Sequence, residues 1–314
     1  MLKKENCMVY GGGGFIGSHL SESLLNIGYK VTIFDKLNFS RKNILHIIHD
    51  VRVMEGDFNN EIDIKNSLID VDYVFHLVSS TLPASSNENP VYDVETNLIS
   101  SLRLFKECLD KKVKKIVFLS SGGTVYGVPE ILPVKENFFA NPICSYGIVK
   151  RTIEEYLFLF NKIYDLKYNV FRLSNPYGER QNPNAAQGAV AVFLNKVIHN
   201  EPIEIWGDGE VVRDYIYIND AVDVLVKSIK TDSKENVFNL SSGRGYSLNQ
   251  IIEIIKKVSD REVKTSYKSA RSIDVPISIL DNNLVKKVFD WNPETTLEEG
   301  INRTYKFFLQ MDTQ

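Results

Sequence analysis

The sequence predicts an α/β fold: a doubly wound parallel sheet with helices on both faces, followed by a smaller mixed α/β lobe. Two observations carry this reading. Through about residue 175, short apolar β-branched runs alternate with stretches of helical spacing, the pattern of a parallel sheet built from crossover units. A glycine-rich turn also joins the first such run to the first helical stretch.

Strands are expected at 7–10, 31–34, 51–54, 73–77, 116–119 and 169–172, runs bounded by glycine or aspartate. Helical spacing fills 16–27, 62–68, 94–109 and 146–166. Beyond these the alternation breaks, with loops at Asn182-Pro183-Asn184 and at the turn Trp206-Gly207-Asp208-Gly209. Further helices are expected at 221–229, 248–258 and 296–309. A chain of 314 residues exceeds the usual size of one hydrophobic core. The expected division is a first domain of residues 1–174 plus about 210–240, and a lobe of 175–209 and 241–314. The helix at 146–166 carries Tyr156, Leu157, Phe158, Leu159 and Phe160 in succession, so it is apolar round most of its circumference at that level. A helix lying on a sheet buries one face; the second predicts a partner helix from a two-fold related copy, hence a homodimer.

Composition narrows the function. Apolar residues make up 43% and charged residues 25%, ordinary values for a folded globular chain. With 37 basic against 40 acidic residues the net charge is −3, so no basic field is present for nucleic acid. The 3 cysteines, Cys7, Cys108 and Cys144, are far apart and form neither a zinc spacing nor a disulfide framework. The N-terminus fits neither a signal peptide nor a spanning helix, and no metal site is expected; a cytoplasmic protein off the membrane is. His46 and His49 share a helical face without a third ligand, and Lys111-Lys112-Val113-Lys114-Lys115 reads as a solvated helix end.

Gly11, Gly14 and Gly17 stand at three-residue intervals between the first strand and the first helix. The first allows a sharp turn, the second lets backbone amides approach a pyrophosphate, and the third lets helix pack on strand, with the anion at the helix N-terminus. Asp35 ends the second strand, where a carboxylate accepts both ribose hydroxyls and repels a 2′-phosphate, so NAD is expected over NADP. Lys36 and Arg41 follow closely and blunt that repulsion. Asp57, after Gly56, is placed for the adenine amino group or, alternatively, as a strand-end cap.

Tyr146 and Lys150 are four apart at the start of the long helix, which puts both on one face. A free tyrosine ionises near pH 10, so making it a base at pH 7 costs about 4 kcal/mol. A neighbouring ammonium, together with a positive nicotinamide ring, favours the phenolate and can supply much of that. Of the 15 tyrosines, Tyr168 and Tyr267 also have a basic residue four positions on, but only Tyr146 has lysine there.

In order along the chain come the glycine turn, Asp35, Asp57, Phe75-His76-Leu77, Asn97, the run Ser120-Ser121-Gly122-Gly123-Thr124-Val125-Tyr126-Gly127, and Tyr146 with Lys150. Arg172-Leu-Ser-Asn-Pro-Tyr-Gly178 and Arg213-Asp-Tyr-Ile-Tyr-Ile-Asn-Asp220 follow. Together they resemble the extended short-chain dehydrogenase/reductases, the NAD-dependent epimerase/dehydratase family with its Rossmann-type domain, particularly the UDP-glucose 4-epimerase group. The resemblance implies that Tyr146 is the acid/base at the sugar hydroxyl and that Lys150 tunes it. It implies further that Gly11, Gly14, Phe15, Ile16, Gly17, Asp35, Asp57, Phe58, Leu77, Asn97, Tyr146 and Lys150 hold NAD. The family's usual catalytic Ser or Thr falls at Gly122, which leaves Thr124 or Ser121 to supply that hydroxyl, Thr124 being preferred, or a site that works without one. The Asp-Glu pair of the 4,6-dehydratases is replaced by Gly123 and Thr124, which counts against that reaction.

For the substrate half, the resemblance implies diphosphate contacts from Arg213, Arg271 and Asn175, and a base near Phe193. It also implies a gatekeeping position at Ser278, where a small residue admits an N-acetyl group. The leading expectation is a UDP-sugar 4-epimerase. A 4-keto-6-deoxy nucleotide-sugar reductase and a non-catalytic NAD-sensing regulator are the alternatives; Asp35 counts against an NADPH-consuming reductase, and the intact Tyr146 and Lys150 count against the regulator.

Overall fold

The computed structural model describes residues 4–185, 187–269 and 275–312. Arg271, with the segment 271–274, lies outside the described residues. The first part of the chain runs β1 (Asn6–Tyr10), α1 (Phe15–Asn26), β2 (Lys30–Asp35), β3 (Arg52–Glu55), α2 (Glu61–Ser67) and β4 (Tyr73–His76). Two short helices follow, α3 (Pro83–Ser86) and α4 (Pro90–Asp93), then a π-helical turn, Val94–Ile99, that leads into α5 (Ser100–Asp110). Next come β5 (Lys115–Ser121), α6 (Ser145–Tyr164), β6 (Tyr168–Leu173), β7 (Asn175–Tyr177), α7 (Ala189–Ile198), β8 (Ile203–Trp206) and β9 (Val212–Tyr217). The chain ends with α8 (Ile218–Lys227), β10 (Val237–Leu240), β11 (Gly245–Ser247), α9 (Leu248–Ser259), β12 (Thr265–Lys268), β13 (Ile277–Ser278), α10 (Asn283–Phe289) and α11 (Leu297–Asp312).

These elements form two compact units. Met1–Val128, Asn137–Arg172 and Val222–Phe238 make the first; Pro129–Glu136, Leu173–Ala221 and Asn239–Gln314 make the second. The first is organised on a seven-stranded sheet of order β10-β6-β5-β4-β1-β2-β3. The β1–β2, β1–β4, β2–β3 and β4–β5 pairs are parallel. Strand order reverses at β1, between β2 and β4, so the carboxyl ends of β1 and β4 open a crevice at the switch point. One core fills a face of this sheet, with Met8, Tyr10, Val74, Ile116 and Phe118 from the strands against Leu104 and Phe105 of α5 and Val149, Ile153 and Leu157 of α6. All six expected strands are present; the seventh, β10, follows a short apolar run that the sequence did not mark as a strand.

The second unit holds a four-stranded sheet, in which β9 pairs with β7, β11 and β13, and a separate β8–β12 pair. This pairing is why residues 210–221, expected with the first domain, group with the second unit: β9 joins its own sheet and not the seven-stranded one. Helix α9 starts on a capping box, Ser247 Oγ accepting the Gln250 N–H while Gln250 Oε1 accepts the Ser247 N–H.

The lysine run before β5 departs from a purely solvated helix end. Lys114 pairs with Glu5 and Asp72, each at 2.9 Å. Lys115 is buried, its ammonium donating to the carbonyls of Ser228 (2.8 Å) and Thr231 (2.9 Å) beyond α8. No helix among the described residues is long and apolar enough to cross a membrane.

Candidate active site

The glycine turn between β1 and α1 shows why small residues stand there. Gly11 has φ +80°, a conformation that side chains rarely adopt. A Cβ at Gly17 would stand 2.2 Å from the Gly11 carbonyl oxygen and 2.6 Å from the Gly12 Cα, so only glycine lets α1 sit this close to the turn. Gly14 caps α1 with no side-chain hydrogen bond, leaving the first-turn N–H groups to an incoming anion. At the end of β2, Asp35 Oδ2 accepts the Gly13 N–H and Oδ1 accepts the Lys36 N–H, both at 2.9 Å. Burial raises its carboxyl above the usual range, and those two N–H groups work against the rise. Amides for an anion beside a carboxylate for hydroxyls are the donor set a dinucleotide requires.

The neighbouring positions are mixed. Phe15 and Ile16 open α1 half-buried, and the Leu77 N–H donates to Tyr10 O at 3.2 Å, which sets its backbone beside Gly11. Asp57 Oδ1 accepts from the N–H and the side-chain amide of Asn59, the strand-end cap foreseen as its alternative reading. Phe58 is a core ring packed on Tyr10 and His76.

Tyr146 stands at the second position of α6 and Lys150 one turn on. The Lys150 ammonium is buried 5.6 Å from the Tyr146 ring centroid, donates to Leu119 O at 3.0 Å and lies 4.8 Å from the Phe118 ring centroid. Burial brings it down to about 8, while the charges of Asp93 and Glu154 hold it up. The Tyr146 hydroxyl meets the hydroxyls of Ser79 and Ser121. Desolvation pushes this phenol up to about 12, with Ser79 and Ser121 working against it and the Cys144 and Asp93 charges adding to it. Burial is thus the largest single influence on this phenol. Thr124 follows β5, its N–H donating to Ser121 O at 3.3 Å, and its carbonyl oxygen lies 2.7 Å from where a Gly147 Cβ would be. Its Oγ1 is buried with no hydrogen-bond partner.

Asp93, which the sequence did not single out, is fully buried beside this pair. It accepts from Thr81 Oγ1 (2.7 Å), Asn97 Nδ2 (2.9 Å) and Ser145 Oγ (2.7 Å). Asn97 also accepts the Ser80 N–H at 2.9 Å, so its amide braces the turn after β4 and does not project alone. Thr81 and Ser145 lie 12 and 52 residues away along the chain, so the sequence offered no signal for their convergence on it.

In the second unit, three of the expected substrate residues share one sheet. Asn175 lies on β7 opposite Tyr215 of β9, Arg213 on β9, and Ser278 on β13 opposite Arg213. Asn175 Nδ2 donates to Asp214 O at 3.0 Å, and Arg213 Nη1 to Val212 O at 2.9 Å. Between them the buried Asp214 carboxylate accepts from Ser242 N–H and Oγ, Gly243 N–H and Leu280 N–H, which fixes β9 to its neighbours. Ser278 is buried, and Phe193 is a buried side chain of α7 with 6% of its surface exposed.

Residues 7–241 match the sequence profile of the NAD dependent epimerase/dehydratase family. A putative UDP-glucose 4-epimerase of Methanocaldococcus jannaschii is 36% identical over 299 residues, 94% of this chain and 96% of that one. The structure of a UDP-glucose 4-epimerase from Thermotoga maritima with UDP-glucose superposes with a TM-score of 0.93 at 36% identity, covering 98% of this chain and 99% of that one. A UDP-N-acetylglucosamine 4-epimerase from Methanobrevibacter ruminantium, in complex with UDP-N-acetylmuramic acid, gives a TM-score of 0.93 at 31% identity, covering 99% and 100%. This chain belongs to the NAD dependent epimerase/dehydratase family, and NAD is its cofactor.

Proposed function

We propose that the protein is a UDP-sugar 4-epimerase acting through a transient 4-keto sugar, with the first unit holding NAD and the second the nucleotide sugar. The observation that carries the reading is the cluster at the head of α6: a phenol with the Ser121 hydroxyl at its oxygen and a buried ammonium one turn below. Tyr146 takes the 4-hydroxyl proton and returns it when the other epimer forms. Lys150, still protonated below about 8, stabilises the phenolate. Thr124 Oγ1, buried without a partner, donates to the sugar oxygen that loses its proton. NAD, held by the glycine turn and Asp35, would supply a reversible hydride acceptor for C4, so that the cycle consumes no reductant.

Gly11, Gly14 and Gly17 admit the pyrophosphate of NAD and Asp35 accepts its adenosine ribose hydroxyls; Asn97 shapes the wall after β4. Arg213, Asn175 and Arg271 hold the diphosphate of the sugar nucleotide, and the small Ser278 leaves room for N-acetylated sugars. Phe193, a core side chain, takes no part. A second copy of the chain covers α6, which exposes Ile148, Phe158, Leu159, Ile163 and Tyr164 in addition to the face it packs on the sheet.

The test mixes the purified protein with UDP-glucose, UDP-N-acetylglucosamine and UDP-glucuronate, and with dTDP-4-keto-6-deoxyglucose, without added reductant. Catalytic interconversion of a C4 pair is the expected result. Turnover of the keto sugar alone, and only in a parallel mixture to which NAD(P)H is added and is consumed stoichiometrically, makes the protein a reductase; no turnover in either mixture alongside tight NAD binding makes it a regulator.

A further inference from the structure

The loop after β2 brings a cation to the cofactor's ribose end and then engages it. Arg41 Nη2 donates to Glu55 Oε1 at 2.8 Å. Glu55 ends β3, where it is the register partner of Asp35 on β2, and its Oε2 accepts the Asn38 N–H at 3.2 Å. The same loop lies against the glycine turn. The Phe39 ring reaches 2.2 Å from where a Gly13 Cβ would stand, Asn43 Nδ2 donates to Gly13 O at 3.4 Å, and Gly13 N–H is the group held by Asp35. Arg41 is therefore fixed on the rim where Asp35 meets the turn, with a carboxylate from the neighbouring strand on its guanidinium. Arg41 and Asn38 hold the Glu55 carboxyl below the usual range, so Glu55 is charged at neutral pH.

A 2′-phosphate brought to a β2 carboxylate is repelled unless an arginine nearby accepts it, and a guanidinium fork matches phosphate oxygens. Arg41 has the chemistry and the place for that role. To take it, however, it would have to leave Glu55, and a second carboxylate would then face the phosphate beside Asp35. We propose that Glu55 is a cofactor-specificity residue: by engaging Arg41 it keeps the guanidinium from a 2′-phosphate and adds its own charge to that of Asp35, so that the chain selects NAD against NADP. This rests on the reading that places the adenosine ribose at Asp35.

The test is titration calorimetry of the full chain, freed of co-purified nucleotide, with NAD+ and with NADP+ at one ionic strength. Glu55→Gln keeps the acceptor for the Asn38 N–H and removes only the charge. It is expected to tighten NADP+ by about tenfold and leave NAD+ within about twofold. Arg41→Ala alone, which leaves the Glu55 charge uncompensated, is expected to weaken NADP+ further, and Arg41→Ala added to Glu55→Gln to remove most of the gain. The proposal is overturned if Glu55→Gln leaves NADP+ unchanged, tightens both nucleotides equally, or retains its full gain without Arg41. Asp35→Asn separates the two levels of the argument. If it weakens NAD+ and narrows the preference while Glu55→Gln does nothing, only the role of Glu55 falls. If it changes neither nucleotide, the ribose is not at Asp35 and both fall.

Discussion

Ser145 donates its hydroxyl hydrogen bond to Asp93 Oδ2 at 2.7 Å, one residue before Tyr146. Through it a fully buried carboxylate is fixed to the first turn of α6, within reach of both groups of the proposed acid/base pair. Its charge opposes ionisation of Tyr146 and supports the ammonium of Lys150. The lysine's pKa is lowered by burial to about 8, so its positive form is complete below that value and is lost as pH rises through it. Activity that depends on the ammonium should fall on the alkaline side there. Asp93→Asn removes the supporting charge, and the alkaline limb of kcat/KM is expected to move to lower pH. Ser145→Ala should cost about 1 kcal/mol of stability and leave the limb in place. A limb unmoved in Asp93→Asn would reduce Asp93 to a structural tie.

Tyr146→Phe removes one oxygen and keeps the ring that lies beside Lys150. Removing a positioned acid/base is expected to lower kcat by about 10²- to 10⁴-fold. Because the ring and Lys150 are retained, NAD affinity should change little. Calorimetric NAD binding together with an epimerase assay checks both halves, and surviving activity would sink the mechanism.

Thr124 separates function from stability. Its Oγ1 is buried without a partner, so in the protein alone it contributes desolvation cost and no hydrogen bond. Thr124→Val keeps the shape and is expected to leave thermal stability unchanged or slightly higher. If Thr124 stands in for the hydroxyl missing at Gly122, kcat should fall by about 10²-fold with little change in KM. Ser121→Ala, which takes a hydroxyl from Tyr146, should instead alter the acid limb of the pH profile. Unchanged kcat in Thr124→Val would remove Thr124 from the role, and a fall in kcat in Ser121→Ala would then separate Ser121 from a site that works without the hydroxyl.

Most of the first unit was legible because its signals are local. Alternation of period 2 and 3.6 marks strands and helices, and the spacing of Gly11, Gly14 and Gly17 is fixed by contacts with their own turn, as the clash of a Gly17 Cβ with Gly11 O shows. What the sequence could not give were partnerships between distant residues. Asp93 matters because Thr81, Asn97 and Ser145 converge on it, and Glu55 because β3 lies beside β2; neither pairing leaves a mark in sequence spacing. The second unit was less legible for the same reason. Its four-stranded sheet is assembled from strands of three to six residues and the two-residue β13, too short for a periodic signal, and the position of β9 in it follows from pairing alone.

Beneath the acid/base pair lies a second buried network whose cost of disruption can be predicted. Arg172 of β6 donates through Nε at 3.2 Å and Nη2 at 2.6 Å to Glu154 of α6, and through Nη1 at 2.8 Å to the Tyr126 hydroxyl. Glu154 also accepts from Ser120 Oγ, next to Ser121 on β5, and stands one turn after Lys150. Arg172 and Glu154 are 2% and 1% exposed; without Glu154 the guanidinium is a buried charge that has lost this carboxylate, whereas without Arg172 the carboxylate still has Arg151 Nη1 at 2.9 Å. Glu154→Gln alone, which leaves the guanidinium without that charge, should therefore destabilise the fold by about 3 to 5 kcal/mol, and Arg172→Met by less. The double variant, which leaves no buried charge, should cost much less than the sum of the two. Denaturant unfolding of all four proteins measures the coupling. Glu154→Gln also removes a charge that supports the Lys150 ammonium, so its alkaline limb should shift to lower pH, as in Asp93→Asn. Additive stability losses would mean that the pair is not held as a unit, and the anchoring of β5 and α6 through it would then be wrong.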